Sequence, residues 1–189
     1  QGYTSLKREN KLVDALLKRM NRKYPKMALA NTVALEHFTA LLAHQSFTKR
    51  ELFVDPAHED FQPLFLWHGA EEIEHKSVAF DVYQAVDGSY WRRVTAMLLA
   101  TLSMVIMIPV RMTPLLYRDG VLFKFKTWRT GFSFLFGKQG KFVMPWRHYL
   151  QFYRRDFHPW DVQDLDLITE FQQQWKDGSF LSKTNTTTA

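Results

Sequence analysis

WHGAEEIEHKSVAFDVY, residues 67–83, sets two histidines and three glutamates within eight positions of an apolar stretch that has helical periodicity. At about 100° per residue, His68, Glu72 and His75 fall on one strip of a helix. Glu71 sits at the edge of that strip and Glu74 turns away from it. The strip continues through Phe61, Leu64 and Phe65 before the cluster and through Ala79 and Val82 after it. A stripe of this kind is expected to face the core, where imidazoles and carboxylates are costly unless paired or metal-bound. The polar interruption therefore marks a site.

Glu72-Ile-Glu-His75 is a Glu-x-x-His unit, the spacing with which helical bundles present a carboxylate and an imidazole to a pair of metal ions. His68, one turn earlier, adds a second imidazole to the same face. Mixed oxygen and imidazole donors suit iron or manganese, and zinc less exclusively. A satisfied buried polar network, or a histidine-rich surface helix, accounts poorly for polar groups on the apolar stripe. The preceding segment, residues 27–47, offers a facing helix on which Leu29, Val33, Glu36, Ala40, Ala43 and Phe47 share a stripe. Glu36 is then a carboxylate on a core face, with small alanines nearby leaving room for a metal. His37 and His44 fall on a different face and are expected at the surface or as supporting groups.

ALEHFTALLAH (34–44), the 67–83 motif and DFHPW (156–160) together resemble bacterial proteins described as predicted metal-dependent hydrolases, over nearly the whole chain. The His-x-x-x-Glu-x-x-His spacing is also similar to ferritin-like diiron N-oxygenases acting on aryl amines. That second resemblance implies two iron ions, with Glu36 bridging or capping them and His68, Glu72 and His75 as ligands. Glu71 is then a further ligand or orients an imidazole. It also implies dioxygen activation rather than hydrolysis. A ferritin-like site needs two more ligand helices, one of them carrying a second Glu-x-x-His, and the chain has none; Asp55-Pro-Ala-His58 has the wrong residues. QGYTSLKRENKL (1–12) resembles the sequence that follows the second ligand helix in such proteins. The expectation is an incomplete ferritin-like, all-α bundle. Missing N-terminal helices or a partner chain would complete its site, and alone the chain would bind metal weakly and be inactive.

The chain has no cysteine, which removes disulfides and thiolate ligands and fits a reducing cytoplasm. Phosphate-cradling glycine loops and a nucleophile elbow are absent. Periodicity predicts helices over about 4–22 (Leu6, Val13, Leu16, Leu17 and Met20 on its apolar face), 26–54 and 60–86. Ser89 is expected to cap a helix to about 117 that Pro109 and Pro114 interrupt. Shorter helices follow near 121–136 and 145–156, then a last one capped by Asp161. The tail, LSKTNTTTA (181–189), reads as disordered.

Charge divides the chain unevenly. Residues 1–88 carry a net −1, residues 89–160 carry +10, and residues 161–189 carry −3. The basic stretch also contains sixteen of the chain's twenty-nine aromatic residues. Three regions follow: half a metal-binding bundle (1–88), a basic aromatic extension (89–160), and a last helix with its tail (161–189). Val94–Val110 runs seventeen residues without a charge, about 25 Å of helix and short of a roughly 30 Å hydrocarbon core. Nucleic acid needs no such hydrophobicity, so a membrane surface or a hydrophobic assembly is expected, with the cytoplasmic inner face as location and a plain buried core helix as the alternative. FKFKTWRTGFSFLFG (123–137) would dip into headgroups or admit a greasy substrate. The function these features imply is oxidation of an apolar or amphipathic substrate at a diiron centre. Metal-dependent hydrolysis is the first alternative, and a non-catalytic membrane-associated subunit the second.

Overall fold

The computed structural model describes residues 4–136 and 145–177, and every regular element among them is helical. Residues 181–189, the expected tail, lie outside the described residues. Helix α1 (Thr4–Lys23) leads through Tyr24 into α2 (Pro25–Thr48), which Pro25 opens at the first position, where a missing N–H costs nothing. Helix α2 is the hub. Its alanines at 28, 30, 34, 40 and 43 keep it slim and buried on several sides, so that three later helices all pack against it. It ends at Thr48 rather than near 54, and a four-residue α3 (Arg50–Phe53) follows.

The single helix expected over 60–86 is two helices. A 3-10 turn (Glu59–Phe61) precedes α4 (Gln62–His75), and α5 (Val78–Val86) begins after a break at Lys76-Ser77. The break falls where Lys76 turns inward. Its ammonium donates to the Val162 carbonyl at 2.6 Å and to Asp164 Oδ1 at 2.5 Å. Gly88 adopts φ +60° and, with Asp87, donates its N–H to the Tyr83 carbonyl, the left-handed stop that glycine allows. Ser89 then accepts from the Arg92 N–H and starts α6 (Tyr90–Arg118). Contrary to expectation, α6 runs on through Pro109 and Pro114.

Two apolar cores lie along α2. Ala30, Val33, Ala34, Phe38 and Leu41 join Phe80 and Tyr83 of α5, Ala96, Met97 and Ala100 of α6, and Tyr149, Phe152 and Phe157. Ala43, further along α2, joins Leu66, Ala70 and Ile73 of α4 and Ile168 and Phe171 of α9 (Leu165–Lys176). Arg93 sits inside the first core, donating from Nη1 to the Phe152 carbonyl and from Nη2 to that of Arg154, both at 2.7 Å. Helices α7 (Phe125–Phe136) and α8 (Trp146–Gln151) are shorter than the segments expected there.

DFHPW ties the C-terminal segment to α5 and α4. Phe157 is buried against Phe80, His158 Nε2 lies 3.0 Å from Asp81 Oδ1, and the Trp160 ring lies under Lys76. Asp161 does not cap the last helix. It accepts from the His158 N–H and closes a 3-10 turn at Pro159–Asp161, and α9 starts after Asp164.

Candidate metal centre

Helices α2 and α4 run antiparallel. Gly69 of α4 faces Ala43 and Phe47, and further along α4, Glu72 and His75 face Glu36. Gly69 permits the approach: a Cβ there would lie 3.3 Å from Phe47 Cε2 and 3.8 Å from the Ala43 backbone. Helix α4 buries Leu66, Gly69, Ala70 and Ile73 towards this contact.

Glu36 is half-buried on α2, and its carboxyl is held above the usual carboxylate value. Burial is the main cause and the charge of Glu72 the next, while His75 pulls the other way. Two carboxylates and an imidazole from two helices therefore share one environment. On α4 itself, His68 Nε2 lies 3.4 Å from Glu72 Oε1, and His75 Nδ1 lies 3.9 Å from Glu71 Oε2. Glu71, Glu74 and His75 each offer a ligand atom, all within 4.8 Å of one another. Glu74 is thus not turned away: it is one turn from Glu71 and beside His75, and Gln172 of α9 donates to its carboxylate. The i, i+3, i+4 spacing of these three residues was the sequence signal for that grouping.

The apolar frame of the strip differs from the reading of 67–83. Phe61, Leu64, Phe65 and Val82 are exposed, and only Ala79 of that set is partly buried. The strip lies at the rim of the α2–α4 contact rather than under it. Glu72 is 22% exposed, whereas His68 and His75 are 66% and 62% exposed. The α2 stripe behaves as expected, with Val33, Ala40 and Ala43 buried and Leu29 and Phe47 partly so.

A donor set of carboxylates and imidazoles without thiolate fits a divalent cation of the iron, manganese or zinc kind. Adjacent carboxylates repel one another, and a cation is the group that relieves this. His37 and His44 are on the far side of α2, but His37 is not at the surface. It is 6% exposed and packs between Phe152 and Phe157. His44, Lys76 and Asp164 line a small cavity with it, His44 Nδ1 being 3.6 Å from Asp164 Oδ2. A buried lysine in HKSVAF left no trace in the apolar periodicity, because its partner is 88 residues away.

Helices carrying a rim of carboxylates and imidazoles offer a candidate metal site on an α-helical protein. Residues 1–163 match the family model described as predicted metal-dependent hydrolase, and the chain belongs to that family. No curated protein and no solved structure matches it.

Proposed function

We propose that the chain carries the metal-holding helices of a metal-dependent hydrolase, with Glu36, His68, Glu72 and His75 as ligands and Glu71 and Glu74 supporting them. What supports this reading is the Glu71, Glu74 and His75 cluster on α4, with the charges of Glu72 and His75 acting on the Glu36 carboxyl of α2. A divalent cation held there would supply the charge that makes water acidic enough to attack a carbonyl or phosphoryl centre at neutral pH. The chain's own groups do the rest. Glu36 and Glu72 supply negative charge from the half-buried side. Glu71, whose Oε2 lies 3.9 Å from His75 Nδ1, adds negative charge beside the imidazole. The family description favours hydrolysis over redox chemistry.

A second reading, dioxygen activation by two irons on an apolar or amphipathic substrate, is favoured by one observation. Glu36 lies opposite a Glu-x-x-His on the neighbouring antiparallel helix, an arrangement suited to carboxylate-bridged metal pairs. Under either reading further ligands come from helices or a partner chain covering the rim. The exposed Phe61, Leu64 and Phe65 beside an exposed His68 are the surface such an element would cover.

Metal titration of the chain and of Glu72→Gln and His75→Ala tests the proposal. Each variant should weaken binding at least tenfold to a hundredfold. Ester and phosphoester turnover by the metal-loaded protein supports hydrolysis. A near-ultraviolet charge-transfer band, with dioxygen uptake after iron loading, supports the second reading. Binding that is identical in wild type and both variants refutes the site.

A further inference from the structure

Helix α6 has its apolar surface on the outside. Its inner arc, Arg93, Ala96, Met97 and Ala100, is buried against α2 and the C-terminal segment. Its outer arc, including Trp91, Leu98, Leu102, Val105, Ile106 and Val110, is exposed, each residue between 47% and 67%. These residues fall within one sector of a 100° helical wheel and span Trp91 to Val110, about 29 Å at 1.5 Å per residue, and Tyr117 continues the sector. From Val105 to Leu115 every residue is exposed. A solvated surface helix has the reverse pattern, polar side outward.

We propose that this outer face of α6 lies in the plane of an anionic lipid bilayer, inserted to the depth of the headgroup–acyl boundary. By length and composition the helix could cross a membrane. Its inner arc, however, is occupied by protein along the proximal half. Along the distal half, Arg111 and Arg118 fall on the same arc as Arg93, Met97 and Ala100. That arc exposes Met107 and Leu115 as well, so the distal half is apolar on both sides, and two arginines within it hold such a helix at the interface rather than across the hydrocarbon core. Trp91 and Tyr117, at the two ends of the arc, are the residue types that settle at the lipid–water boundary. Lys124, Lys126 and Arg129 on or beside α7 add to the same charge.

That charge selects the occupant. Lys124, Lys126 and Arg129, exposed on or beside α7, would meet like charge from a second copy docked face to face. An anionic leaflet offers opposite charge as well as an apolar phase. Hydrophobic burial and electrostatics then act together, whereas in a dimer they oppose one another.

Vesicle flotation of the full chain, run without metal so that the outcome is independent of the catalytic reading, decides this. The chain should float with phosphatidylglycerol-containing vesicles and poorly with phosphatidylcholine alone. Part of the binding should survive high salt, which screens only the charge contribution. Leu102→Gln with Ile106→Gln, both at exposed positions, should lower partitioning roughly tenfold or more at unchanged helicity. Lys124→Gln with Lys126→Gln and Arg129→Gln should lower the salt-sensitive binding and leave the salt-resistant part. Three results overturn the proposal: flotation indifferent to Leu102→Gln/Ile106→Gln, complete release by salt, or no flotation with a solution dimer that the same double variant dissociates. The last would assign the face to a second copy of the chain.

Discussion

Lys76→Met tests how much of the fold hangs on the helix break beside His75. Lys76 and Asp164 have side chains only 2% exposed, and the ammonium has two strong acceptors, Asp164 Oδ1 at 2.5 Å and the Val162 carbonyl at 2.6 Å. The Trp160 ring centroid, 4.6 Å away, adds a cation–π contact. Methionine keeps the length of the stem but leaves a buried carboxylate whose remaining charged neighbour among the described residues is His44, 3.6 Å away. Stranding one partner of a buried pair costs about 3–5 kcal/mol. That is a large share of the ~5–15 kcal/mol typical of a domain. In a chain of this size it corresponds to a fall in Tm of roughly 6–20 °C. Asp164→Asn should cost somewhat less, because an amide oxygen still accepts from the ammonium. Lys76→Met with Asp164→Leu removes both charges and should recover most of the loss. Urea unfolding followed by circular dichroism, at constant m, gives the four corners of this cycle. A loss below about 1 kcal/mol in Lys76→Met, the range of exposed ion pairs, would refute the reasoning. It would mean that the pair is hydrated and that the 162–164 segment does not clamp the break.

Three further outcomes follow from buried groups. His37 is buried and its pKa is pushed down to about 4 from 6.5, burial being the main cause against a smaller opposing pull from the His148 backbone. The unfolded chain therefore takes up the proton first. Stability should hold above pH 6.5 and fall by up to about 3 kcal/mol as pH drops towards 4. His37→Phe, which keeps a ring between Phe152 and Phe157, should remove that acid limb from a Tm-against-pH profile. Arg93→Lys should cost about 2–4 kcal/mol in denaturant unfolding, because one ammonium cannot reproduce the fork to the Phe152 and Arg154 carbonyls. Gly69→Leu should cost about 1–3 kcal/mol by forcing α4 off α2, and should weaken metal binding along with stability, since Glu36 and Glu72 move apart together. Unchanged metal affinity in a destabilised Gly69→Leu would uncouple the site from the helix contact.

The helical class and the positions of the main helices were legible in the chain, because apolar periodicity and the Pro, Gly and Ser punctuation at 25, 88 and 89 are local signals. The α2–α4 pairing was legible for the same reason: it depends on i, i+3 and i+4 spacing and on two helices adjacent in sequence. What faced inward was not. Phe61, Leu64, Phe65 and the outer arc of α6 are as apolar as any core residue, and only the tertiary structure puts them outside. Sequence hydrophobicity measures what a residue gains by leaving water, not which neighbour removes it. Arg93, Lys76 and His37 show the converse. Each is polar, and each is buried because a carbonyl, a carboxylate or a pair of rings from residues 148–164 reaches it. Those partners are separated from it by tens of residues, and no periodic pattern records them. The break after His75 belongs to the same class: local propensity favoured one long helix, and the buried ion pair formed across 88 residues decided otherwise.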